Sequence, residues 1–74
     1  MRLLDLQPGE FARVAEIFKG ERAQNRLYDI GLVPGALIEV ISRHPFHGPL
    51  VLRLGNAEFA LGRNLARLVE VEKD

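Results

Sequence analysis

Apolar and polar residues alternate along most of this chain, and the places where the alternation breaks mark its elements. Leu3-Leu4-Asp5-Leu6 predicts a brief strand, stopped by the turn signal Gln7-Pro8-Gly9-Glu10. The stretch from Phe11 to Phe18 fits a helix through Val14, Ile17 and Phe18, and a strand through the weaker alternation Ala12, Val14, Glu16. The turn before it and Lys19-Gly20 after it favour a strand leading into a helix. Residues 21–30 read as that helix, with Ala23, Leu27 and Ile30 on one face and Glu21 and Arg26 in the order its dipole prefers. From Ala36 the period returns to two: Ala36, Ile38, Val40 and Ser42 share one face, and Leu37, Glu39, Ile41 and Arg43 the other. Two prolines and a glycine make 44–49 a loop. Leu50, Leu52 and Leu54 then form a strand, Gly55-Asn56 a tight hairpin, and Ala57, Phe59 and Leu61 its partner. A short helical turn near 63–66 precedes a last strand through Val69 and Val71.

The segment Arg26 to Ala36, RLYDIGLVPGA, carries the most specific local geometry. Gly31 stands where a helix ends in a left-handed residue, because it has no Cβ to clash. Leu32 follows where a side chain folds back on the helix, and Pro34-Gly35 suits a type II turn into the next strand. Five or six short strands and one helix in 74 residues predict a mainly β fold, a small partly open barrel forming one domain over 1–74. Such a chain folds with a margin of about 4–11 kcal/mol.

Composition narrows the function. Ten basic residues balance ten acidic ones, and Glu70, Glu72 and Asp74 make the end acidic, so nucleic acid is not an expected partner. There is no cysteine, hence no disulfide framework or thiolate metal site. No apolar run is long enough to span a bilayer, and the amino-terminal residues lack a signal-peptide pattern, so a cytoplasmic location without membrane insertion is expected. With one serine, Ser42, and no threonine or cysteine, nucleophiles are nearly absent and no enzyme is expected. Gly31 and Gly35 belong to turn chemistry, and no phosphate-cradle motif follows any glycine.

Two candidate sites remain. His44 and His47, spaced H-x-x-H, are weak candidates for a divalent ion such as Fe(II); two ligands make no tight site, and no resident cofactor is expected. Arg22 and Arg26 lie four apart on the helix, with Lys19 just before it, as a stripe for an acidic partner. With Tyr28 and the Leu32-Val33-Pro34 corner they make the expected contact surface. Three of the four phenylalanines read as core and Phe46 as loop; without tryptophan this gives little aromatic lining for a proline-rich ligand.

The order Leu6-x-x-Gly9-x-x-Ala12-x-Val14-x-x-Ile17, then RLYDIGLVPGA, then Ile38-x-Val40, resembles the ferrous iron transport protein A (FeoA) family. Gly48-Pro49-Leu50-x-Leu52, Phe59-Ala60-Leu61-Gly62 and Ala66-x-x-Val69-x-Val71 extend the match over nearly the whole chain. The resemblance implies an SH3-like barrel with an inserted helix. It also implies a small cytosolic accessory of a membrane ferrous iron transporter that carries a G-protein domain, acting by protein–protein contact. Gly62 departs from the pattern, where members often carry a larger polar or basic residue. The alternatives are a metal-binding sensor or carrier using His44 and His47, or a domain like the SH3-like end of metal-dependent repressors. The chain, starting at Met1 close to the first strand, is too short for a whole regulator of that kind.

Overall fold

A computed structural model describes residues 1–18 and 20–74 of the chain. The strands β1 (Phe11–Ile17), β2 (Leu37–Arg43), β3 (Leu50–Leu54), β4 (Ala57–Leu61) and β5 (Val69–Lys73) form one antiparallel sheet in the order β4-β3-β2-β1-β5. Helix α1 (Glu21–Asp29) joins β1 to β2, and the single turn α2 (Arg63–Ala66) joins the two edge strands. This is the mainly β, SH3-like arrangement expected, with five strands. The predicted sixth, at Leu3–Leu6, is instead a 3-10 turn over Leu3–Asp5.

The reason for that difference is local capture plus one distant side chain. The Arg2 amide donates to the Asp5 carboxylate at 2.9 Å, which bends the backbone out of an extended path. Arg43 then donates to the carbonyls of Leu4 at 2.5 Å and Leu6 at 2.7 Å, replacing the ladder bonds a strand would have made. Leu3 and Leu6 drop into the core.

Bulges set which faces are buried. In β1 the register shifts between Val14 and Glu16, leaving Ala15 as an extra residue; Ala12, Val14 and Ile17 all point inward as a result. This shift explains why residues 11–18 carry mixed helix and strand periods. A second shift, between Val40 and Ser42, leaves Ile41 as an extra residue in β2. The core is one cluster drawn from all five strands, the 3-10 turn, Leu27, Leu32 and Ala66, with no buried polar or charged residue among those described.

Three turns built on glycine follow the sequence reading. Gly31 has φ of +95°, the Gly31 amide bonds the Tyr28 carbonyl, and the Leu32 amide bonds the Leu27 carbonyl, which is a Schellman stop. Gly35 has φ of +93° and the Ala36 amide bonds the Val33 carbonyl, closing the turn over Pro34. The hairpin at Gly55-Asn56 pairs Leu54 with Ala57, as expected.

Candidate functional site

Helix α1 and the turn after it carry the residues expected to form a contact surface, and all but one of them are exposed. Arg22, Arg26 and Tyr28 are exposed on the helix, and Val33 and Pro34 are exposed on the corner. Leu32, predicted to share that surface, is 0% exposed and belongs to the core. The Schellman geometry requires this, because the residue after the left-handed glycine folds back onto the last helical turn. Ile30 moves the other way. Expected on the buried face with Leu27, it lies at the helix cap with φ of −93° and ψ of 2° and is exposed. The predicted stripe reduces to Arg22 and Arg26, since Lys19 lies outside the described residues.

The corner is held rigidly. The Gly35 amide donates to the Val14 carbonyl at 2.7 Å and the Val14 amide to the Ala36 carbonyl at 2.9 Å, pinning the turn to the β1 bulge. Arg13 adds a bond from its guanidinium to the Gly35 carbonyl at 3.0 Å. An exposed side chain on such a frame loses little entropy when a partner covers it.

His44 and His47 both lie exposed in the loop between β2 and β3. No group of three or more His, Cys, Asp or Glu side chains among the described residues could hold a metal ion. His47 borders a groove whose other walls include Arg26, Arg63 and Arg67, a cationic neighbourhood that opposes a second cation. Gly62, the N-cap of α2, forms part of the same wall, and a Cβ there would meet nothing within 4 Å.

The aromatic residues require a second correction. Only Phe59 packs against the core as predicted; Phe11 is 47% exposed and Phe18 37%, while Phe46 stands 96% exposed. Phe11 alternates with the buried Ala12 on the outer face of β1, and Phe18 follows the last strand residue. Periodicity pairs residues on a face without saying which face is wet.

No ionisable side chain among the described residues is buried. Across the outer face Arg53 bridges Glu39 at 3.4 Å and Glu58 at 2.6 Å, and Glu58 raises the Arg53 pKa through that bond. Glu10 is held below the ordinary glutamate value, first by its bond to Lys73 and then by the Gln7 amide at 2.6 Å. All three ion pairs lie at the surface. Among the described residues none resembles the buried, perturbed acid or base that an active site needs.

A family model described as FeoA domain matches residues 1–73. The crystal structure of an iron uptake regulatory protein (FeoA) is similar at 38% identity and a TM-score of 0.93, over 100% of this chain and 97% of that one. The solution structure of iron(II) transport protein A from Clostridium thermocellum is similar at 36% identity and a TM-score of 0.88, over 99% of this chain and 45% of that one. A manganese-dependent transcriptional repressor shares the fold at a TM-score of 0.91 and 21% identity, over 100% of this chain and 41% of that one. No curated protein matches the sequence.

Proposed function

The chain belongs to the FeoA domain family, and on that premise we propose that it is a cytoplasmic accessory protein of ferrous iron uptake. In this reading it acts without catalysis, by direct contact with the cytosolic G-protein part of a membrane Fe(II) transporter. The family match over residues 1–73 carries the link to iron uptake. The contact role is supported by the corner itself, where Tyr28, Val33 and Pro34 are exposed on a turn bonded to β1. Among the described residues no helix is long and apolar enough to cross a membrane. The contact surface is then Arg22, Arg26, Tyr28, Val33 and Pro34. Direct binding to the transporter's cytosolic part, with and without guanine nucleotide, tests the reading. Absence of interaction at high micromolar concentration in both states would refute it.

A further inference from the structure

Two adjoining grooves share Asn64 and Arg67 in their walls. The larger, about 690 Å³, adds Arg26, Arg63 and His47 over a floor that includes Leu4 and Leu65. The smaller, about 510 Å³, adds Arg2, with Phe18 and Leu68. Four arginines therefore border the pair, and no described carboxylate does. This is a local concentration in a chain whose formal net charge is zero.

Among the described residues none of the four is held in an ion pair. Ion pairs among the described residues involve the amino terminus, Arg13, Arg53 and Lys73. Three of them, Arg2, Arg63 and Arg67, are instead oriented by neutral acceptors. Arg2 donates to the Arg67 carbonyl at 3.3 Å, Arg67 to Asn64 Oδ1 at 2.9 Å, and Arg63 to the Gly48 carbonyl at 3.1 Å. A guanidinium has five N–H donors, so each keeps several for another acceptor.

The Arg63 bond also ties the groove to the loop that carries Phe46. Phe46 and His47 are successive non-glycine residues with φ of 58° and 61°, a conformation that disfavours bulky side chains. The strained backbone holds an aromatic ring almost wholly in water, which contributes nothing to packing. Large exposed aromatics of this kind anchor interfaces, and Phe46 directly precedes His47 of the groove wall.

We propose that this groove docks an acidic, apolar-bearing segment of a partner protein. Arg26, Arg63 and Arg67 meet its carboxylates, the leucine floor takes its apolar side chains, and Phe46 anchors one end. The apolar floor favours such a segment over phosphate or a nucleic-acid backbone, which would set charge against leucine. The proposal rests on the contact reading above and names the chemistry of the partner.

The test is an NMR titration of the full chain with a synthetic peptide of alternating glutamate and leucine. Its glutamine counterpart and inorganic phosphate are run in parallel. The acidic peptide shifts the amides of residues 46–48 and 63–67, and the glutamine peptide binds at least ~10-fold more weakly. Arg67→Glu weakens the acidic peptide by about the same factor while Arg67→Lys keeps it, which separates charge from folding. Phe46→Ala weakens it with no loss of thermal stability. Equal binding of the glutamine peptide, or the same shifts from phosphate alone, would overturn the proposal. If the transporter's cytosolic part binds Arg67→Glu as it binds the parent chain, the groove assignment fails and the proposed function stands. If the peptide seats in the groove while the transporter part does not bind, the groove stands and that function fails.

Discussion

The amide of Leu32 donates to the carbonyl of Leu27 at 2.9 Å, and both side chains are fully buried. This one bond turns the chain out of α1 and fixes where Val33 and Pro34 meet solvent. Leu32 is thus the internal support of the corner and its two successors the exposed part. Leu32→Ala is expected to destabilise the protein by about 2–5 kcal/mol, a large share of a total near 4–11 kcal/mol. Urea denaturation followed by circular dichroism checks this; a loss below about 1 kcal/mol would contradict a fully packed Leu32.

Gly31 and Gly35 separate conformational strain from collision. Both have positive φ, but a Cβ on Gly31 would lie 2.7 Å from Leu54 Cδ2, whereas one on Gly35 meets nothing within 4 Å. Gly35→Ala is expected to cost about 1–2 kcal/mol, from the left-handed conformation alone. Gly31→Ala exceeds it only modestly, since the clashing atom ends a half-buried side chain that can rotate. Parallel urea titrations with unchanged m-values make the comparison.

Arg43 ties the 3-10 turn to β2 through the Leu4 and Leu6 carbonyls. Removing it in Arg43→Met leaves two carbonyls without their charged donor and is expected to cost about 1.5–3 kcal/mol. Amide hydrogen exchange localises the loss: residues 3–6 exchange faster while β3 and β4 keep their protection.

Glu10 gives the pH dependence. Its folded-state pKa is lowered by Lys73 and the Gln7 amide, so its contribution is complete above the ordinary glutamate value of 4.5. It is lost as pH falls through the lowered value. Lys73→Met is expected to move the Glu10 carboxyl titration, followed by NMR, back towards that ordinary value. An unmoved titration would mean that Lys73 does not hold the carboxylate in solution.

Residues that restrict a single backbone angle make their elements readable from the chain alone. Gly31, Pro34-Gly35 and Gly55-Asn56 place a helix stop, a turn and a hairpin because few residue types satisfy those angles. Contacts between distant segments stay hidden. Arg43 acts on carbonyls 37 and 39 residues away, so Leu3–Leu6 reads as a strand when only neighbours are considered. The β1 bulge hides in the same way, since one extra residue mixes periods of two and three. On the surface, helical spacing places Arg22 and Arg26 on one exposed face. Assigning Leu32 to the exposed corner with Val33 and Pro34 overlooks that the Schellman stop buries it. The groove escaped detection because Arg2, Arg26, Arg63 and Arg67 are scattered in sequence and meet only once the 3-10 turn, α1 and α2 come together.

A calorimetric titration of the transporter's cytosolic part with the intact chain and with Val33→Asp tests the contact role most directly. Val33 is exposed, so the variant is expected to fold normally, verified by its NMR spectrum. The predicted result is saturable binding by the parent chain and at least ~10-fold weaker binding by Val33→Asp, as for a charge buried at an interface. No binding by the parent, or equal binding by the variant, would contradict the corner as the contact surface.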